Sequence, residues 1–350
     1  MKHTTPTFSI IISAYNSGKM IGDLLQSIVN QGMEFGDIEV VISDDCSTEP
    51  YDEVIDKFRD KLLIKQVSTD YNFCPANTRQ RGAENATGEW LIFSDHDDIF
   101  APSTLPKIAD ELAKYPDVRY AISPFYEINP FTNKITRKME PETAWTHGKI
   151  YHREKLWNAE GLRFKKDLKS HEDVYLTSLV TALVVGGEKE DILILDIVFY
   201  FWRCWPKSQS KSTYRGTDGK EHDFLQVFFR DYLDATGYVY LDLYKKNKIS
   251  REFAIDNIVG VLGYCYFYCQ GFIYHEPQTY LKEDIRHAKR FYRKATRILQ
   301  ITKKDIITFF TKEQCKQWNI CKKMSRIATG EMIEPMSFAQ WLKLMEEEQR

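Results

Sequence analysis

Residues 89–100 read "EWLIFSDHDDIF". The apolar run Trp90–Phe93 has the composition of a buried strand, and three carboxylates, Asp95, Asp97 and Asp98, follow within four positions. Such a cluster has two ordinary uses. Acidic turns commonly cap a following helix, and Asp98, ahead of "APSTLPKIADEL", fits that reading. D-x-D at a strand end also supplies hard oxygen ligands to a divalent cation held beside a phosphate. The stretch alone leaves both open.

Upstream, short apolar runs alternate with helical patterns. "FSIIIS" (8–13) reads as a buried strand, and Ile21, Leu24, Leu25, Ile28 and Val29 then recur at helical spacing. "IEVVIS" (38–43) is a second strand, Tyr51–Phe58 a second helix, "LLIKQVS" (62–68) a third strand, and Ala76–Asn85 a third helix before "EWLIF". This order implies an α/β fold, a doubly wound, mostly parallel sheet with helices on both faces, which binds ligands at the carboxyl ends of its strands. "AYNSG" (14–18), "DDCST" (44–48) and "DHDD" (95–98) are then expected to converge on one edge.

Residues 101–214 mix a helix, the strands "RYAISPFYEI" (119–128) and "ILILDIVFYFW" (192–202), and a helix around "HEDVYLTSLVTALVV" (171–185). Past Tyr214 the pattern turns helical, with Phe224, Leu225, Phe228, Phe229, Tyr232 and Leu233 on one face. We therefore expect a domain over 1–214, with one half to about residue 100 and a second beyond it, and a helical module over 215–350. The uncharged run 258–275 approaches the length of a membrane span, but its tyrosines, three glycines and Gln270 favour a core helix.

A composition of 43% hydrophobic and 28% charged residues is that of a globular chain, and a formal net charge of −2 singles out no partner. Seven cysteines without a C-x-x-C pair argue against a disulfide framework or zinc ribbon and for reduced thiols in the cytoplasm. The N-terminal apolar run is a strand in length, too short for a signal-peptide core.

Six stretches, in order, carry a resemblance: "FSIIISAYNSGKMIGDLLQSIVNQ", "EVVISDDCST", "NFCPANTRQRGAENATGEWLIFSDHDDIF", "KIYHREKL", "HEDVYL" and "YFWRCWPKSQS". Together they resemble the successive motifs of inverting glycosyltransferase family 2, with its GT-A fold, across about residues 7–212. The resemblance implies a nucleoside-diphosphate sugar donor, UDP-linked by preference, and a Mn2+ or Mg2+ cofactor. It implies that Ala14, Tyr15 and Asn16 pack around the nucleotide, that Asp45 accepts from the base, and that Arg79 lies near the donor phosphates. Asp95 corresponds to the ribose-side aspartate, with His96 at the variable position beside it, and Asp97 to the metal ligand. Cys74 and Gln80 depart from the family's usual glycine and asparagine.

Asp173 corresponds to the general base, with Glu172 beside it. Read without the resemblance, both would only open a helix, where carboxylates favour the dipole. A carboxylate within reach of an acceptor hydroxyl takes its proton during attack on the anomeric carbon, and attack opposite the leaving group inverts that centre. Trp145 and His147 correspond to the acceptor side, though a core role suits them equally. Arg203, Trp205 and Lys207 fall in a segment that closes over donor phosphates, and Arg203 reads equally as a solvated strand end.

From Lys282 to Arg326 fourteen Lys and Arg face four Asp and Glu. Besides a solvated helical face, this suggests docking on an anionic membrane that presents a lipid-linked or glycan acceptor, with peripheral location at its inner side. Less favoured is nucleic acid, as in a glycosyltransferase acting on modified DNA bases. The helices could also support a homo-oligomer. The expected product is a bacterial surface polysaccharide, teichoic acid or glycoconjugate. A nucleotidyltransferase would need a richer Gly and basic loop than "SAYNSGKMIG", and a sugar- or nucleic-acid-binding module without turnover would not need Asp45, Asp95, Asp97 and Asp173 together.

Overall fold

The computed structural model describes residues 5–18, 20–72, 74–141, 145–166, 168, 171–185, 192–206, 213–215, 221–223, 229–261, 278–302 and 305. The chain divides into two compact units, Met1–Phe228 and Phe229–Arg350. The sequence places the boundary at 214/215, and the contacts place it at 228/229, where the helix Phe229–Lys245 begins.

The first unit opens with β1 (Phe8–Ala14), α1 (Met20–Val29), β2 (Ile38–Asp44), α2 (Asp52–Asp56), β3 (Leu63–Val67), α3 (Pro75–Asn85) and β4 (Trp90–Asp95). After them come β5 (Ile99–Phe100), α4 (Leu105–Ala113), β6 (Tyr120–Ile122), β7 (Phe125–Ile128), β8 (Ile135–Met139), β9 (Lys149–His152), α5 (Glu172–Val185), β10 (Ile192–Ile194) and β11 (Tyr200–Arg203). The main sheet runs β10-β6-β9-β4-β1-β2-β3, and β5-β11-β7-β8 form a second sheet. Strands β4, β1, β2 and β3 are mutually parallel, whereas β9 is antiparallel to both its neighbours.

Period-two alternation along β1 explains the layers. Phe8, Ile10, Ile12 and Ala14 join a core with Ile21, Leu24, Leu25 and Ile28 of α1 and Leu105, Ile108 and Leu112 of α4. The opposite face carries Ile11, and there α3 approaches so closely that a Cβ on Gly82 would stand 2.4 Å from Ile11 Cγ2. On the same side Phe93 packs edge-on against Tyr151 and Phe164, with ring centroids 5.7 and 5.1 Å away.

Two single strands of the sequence reading are each divided between the sheets. "RYAISPFYEI" breaks into β6 and β7 at Ser123-Pro124, since proline has no N–H to continue a ladder. "ILILDIVFYFW" likewise gives β10 in the main sheet and β11 in the second. A π-helical turn, Arg153–Asn158, follows β9 and went unpredicted.

In the second unit, Phe229–Lys245 buries Leu233, Ala235, Val239, Leu241 and Leu243, residues 251–261 form a further helix, and Gln278–Leu299 another. Residues 224–228, most of the 258–275 run and the basic stretch past 305 lie outside the described residues. Among the described residues no helix is long and apolar enough to cross a membrane.

Candidate active site

The register brings the carboxyl ends of β1, β2 and β4 level: Ser13 stands opposite both Ser43 and Asp95, and Ala14 opposite Asp44. The three polar clusters therefore do meet on one edge. Asn16 adopts a left-handed backbone (φ 48°), and its Oδ1 accepts from the N–H groups of Thr48 and Glu49 at 2.9 and 3.2 Å. This stitches the turn after β1 to the turn after β2. Tyr15 beside it is 44% exposed, enough to offer a ring face to a ligand, while Ala14 and Asp45 are buried. The Asp45 N–H donates to Ala14 O at 2.9 Å. The neighbouring Asp44 is used locally, accepting from Ser47 N at 3.0 Å and Tyr51 Oη at 2.8 Å.

Arg79, projecting from α3, bridges two of the predicted residues. Its Nη2 lies 2.6 Å from Asp95 Oδ1, and its Nη1 pairs with Glu172 Oε1 on α5. Burial works against the Arg79 charge, but Asp95, Glu172 and Asp173 together outweigh it and raise the guanidinium above its ordinary value. Burial likewise opposes the Asp95 anion, yet Arg79 and then His147 hold that carboxyl far below the usual carboxylate range. Ser13 Oγ adds a donor to Asp95 at 3.2 Å, and His96 Nδ1 lies 3.1 Å from Ser13 O.

Asp173 follows His171, whose φ of 62° turns the chain into α5. Burial, and next the Glu172 charge, push its carboxyl up to about 7, against the pull of Arg79. That range suits a group that must accept a proton near neutrality. Burial also pushes the Asp97 carboxyl up, opposed by His96 and reinforced by Asp95.

Asp98 does not cap α4. It is fully buried, accepting from Tyr200 Oη at 2.5 Å and from Arg203 N at 2.8 Å. Burial, then Asp97 and Asp95, push its carboxyl well above the ordinary value. The start of α4 is served by Gln31, whose Oε1 accepts from Thr104 N and Leu105 N at 3.0 Å each.

His147 lies among these acids, with Nε2 at 3.7 Å from Asp95 Oδ2 and 3.9 Å from Asp98 Oδ2 and its ring stacked on Tyr200 at 4.9 Å. One ligand atom each from Asp95, Asp98 and His147 lies within 4.8 Å of the others. Two carboxylates and an imidazole fit a divalent cation, Mn2+ more readily than the all-oxygen preference of Mg2+. The trio leaves out Asp97, to which the resemblance gives the metal.

Arg203 is buried, not solvated: its Nε donates to Asp97 O and its Nη1 pairs with Asp23 at 2.7 Å. Trp145 packs near Trp202, and Trp205 lies against Phe131 and under Arg203, with 5.6 Å from the guanidinium to its ring. Lys207 lies outside the described residues. Sequence reasoning missed Ser13, Asp23, Gln31 and Tyr200. Tyr200 sits in an apolar run that carried no sign of a polar task.

Residues 9–177 match the family model described as Glycosyl transferase family 2. Poly(ribitol-phosphate) beta-N-acetylglucosaminyltransferase TarS of Staphylococcus aureus (strain Mu50 / ATCC 700699) is 29% identical over 180 residues, which are 49% of this chain and 31% of that protein. The chain thus spans about a third of that curated relative's length. The crystal structure of S. aureus TarS 1–349 in complex with UDP-GlcNAc superposes with a TM-score of 0.67 at 20% identity, covering 89% of this chain and 92% of that one. A mannosyltransferase from Pyrobaculum calidifontis, solved with GDP-Man and Mn2+, gives a TM-score of 0.50 at 14% identity, over 93% and 84%. The motifs thus stand in order on a GT-A sheet, and the match to glycosyltransferase family 2 runs from β1 into α5, just under half of the chain.

Proposed function

We propose that the chain is a metal-dependent, inverting glycosyltransferase that moves a sugar from a nucleoside-diphosphate sugar, UDP-linked by preference, to an acceptor hydroxyl. The products in view are bacterial surface polysaccharide, teichoic acid or a related glycoconjugate. The observation that carries the reading is the Arg79 bridge, which ties the donor-side Asp95 to the Glu172-Asp173 pair on α5. It is supported by the likeness to TarS, a poly(ribitol-phosphate) beta-N-acetylglucosaminyltransferase solved in complex with UDP-GlcNAc.

In this reading Ala14, Tyr15, Asn16 and Asp45 frame the nucleotide, and Asp173 takes the acceptor proton. A carboxyl held near pH 7 is half ionised at neutrality and a stronger base than an ordinary aspartate. Arg79 keeps Asp95 ionised while leaving Asp173 raised. Asp95, Asp98 and His147, with Asp97 on the same turn, are the residues that would hold Mn2+ or Mg2+. Such an ion, when bound, supplies charge stabilisation to a departing diphosphate.

Calorimetry with UDP, GDP, CDP and TDP, with and without Mn2+, tests the donor side. One diphosphate should bind, more tightly with metal, and Asp97→Ala should remove the metal effect. Transfer should fall about 10²–10⁴-fold in Asp173→Asn with diphosphate binding kept. Folded protein that binds no diphosphate would sink the proposal.

A further inference from the structure

The helix Gln278–Leu299 buries Phe291, Ala295 and Leu299. Phe291 lies so close over Gly237 that a Cβ there would meet its ring at 2.5 Å, so this side of the helix is committed to the interior of its own unit. Arg290, Arg293, Lys294 and Arg297 are exposed. Spaced i, i+3, i+4 and i+7, they line one helix face over about 10 Å.

Surface helices usually intersperse acids among such cations. Here no Asp or Glu occurs from Ile285 to Lys304, so none stands three or four positions from any of the four. Among the described residues none of the four is ion-paired, and Lys294 lies 4.5 Å from the Tyr238 ring centroid. Like charges at i, i+3 and i, i+4 repel and weaken the helix that carries them. The row therefore costs the fold something, which an anion bound from outside would relieve.

We propose that this row docks a phosphodiester-linked polyanionic chain, the acceptor polymer of the transfer described above. The inference rests on that reading and gives its acceptor a chemical class. A bilayer is the weaker fit, because amphipathic helices enter lipid by an apolar face, and Phe291, Ala295 and Leu299 beside the row are already buried. Single-stranded nucleic acid is weaker too, since it stacks bases on exposed rings, and Tyr292 beside the row is half-buried. Fixed cations in a line match successive phosphates of a linear chain, whose bound counterions are released on contact.

The test uses the full chain and measures binding of unglycosylated poly(ribitol phosphate) by calorimetry across a NaCl series. Neutral dextran, phosphatidylglycerol vesicles and a single-stranded DNA oligonucleotide are the comparison probes, and UDP binding is measured in parallel. Arg293→Gln/Lys294→Gln should weaken polymer binding about tenfold at low salt and, with two cations removed, flatten its salt slope by about 1.5. Arg293→Glu/Lys294→Glu should weaken it further, with a melting temperature equal to or above that of the parent, because repulsion within the row is relieved. UDP binding should not change. Failure of the polymer to bind, equal binding by both variants, or a larger loss on vesicles or DNA than on the polymer would each overturn the proposal. Polymer binding without UDP binding would uphold the docking surface and sink the transfer reading, whereas UDP binding without polymer binding would do the reverse.

Discussion

The hydroxyl of Tyr200 donates to Asp98 at 2.5 Å across 102 positions of sequence, while the Asp95 N–H points into the same hydroxyl at 3.3 Å. One oxygen thus spans both ends of the acidic turn. Tyr200→Phe removes it and leaves a buried carboxylate short of a donor. We expect a loss of about 1–3 kcal/mol in urea unfolding. Mn2+ binding, followed by electron paramagnetic resonance, should weaken as the Asp95 backbone N–H and the Asp98 carboxyl lose their common tether.

Arg79→Met deletes the cation between Asp95 and Glu172 and leaves Asp173 facing uncompensated charge. Removing one partner of such a part-buried pair should cost about 3 kcal/mol. The deficit should be smaller at pH 5 than at pH 8, since protonation relieves the carboxylates left behind. An equal deficit at both pH values in chemical denaturation would mean that packing, not charge, is what Arg79 supplies.

Asp173 keeps its proton in the folded chain up to about pH 7, whereas an unfolded aspartate releases it near its ordinary value of about 4. Between those values the folded state binds more protons, so this group lowers stability as pH rises through the window, and the penalty is complete above it. Asp173→Asn should therefore melt higher than the parent at pH 8 and no higher at pH 4. In the parent, kcat/KM should fall as pH drops below about 7, as the base becomes protonated.

Gly82→Ala tests the close approach of α3 to β1. Its Cβ would stand 2.4 Å from Ile11 Cγ2, so helix or strand must shift, at a cost of about 1–3 kcal/mol. Because α3 carries Arg79, transfer activity should fall with stability, and in an Ile11→Ala background, which lacks Cγ2, Gly82→Ala should cost less.

The strand ends were legible because a short continuous apolar run ending in polar residues announces both a buried strand and its carboxyl edge. Register did the rest: Ser13, Ser43 and Asp95 are level because β1, β2 and β4 run parallel, and Asp44 follows one step on. The partners of those residues were not legible. Tyr200 and Arg203 reach the acidic turn only because a single apolar run breaks between two sheets, and the break at Ser123-Pro124 allows the same for β6 and β7. Asp98 looked like a helix cap, since a cap is local and its real partners lie 102 and 105 positions away. Gln31 took the capping task from a distance of 73 and 74 positions, beyond the reach of any local signal.

At the amino ends of the same strands, Glu39 is only 4% exposed and accepts from Ser9 Oγ on β1 and from Thr87 N at 2.7 Å just before β4, while Ser9 Oγ in turn accepts from Gly88 N at 2.8 Å. Three strands are clasped there without any group that the chemistry uses. The sheet is thus secured at the edge opposite the candidate site by contacts that take no residue from it. Substitutions in the turns at the carboxyl ends leave the Glu39 clasp intact, so that one end of the sheet keeps its register whatever side chains the other end carries.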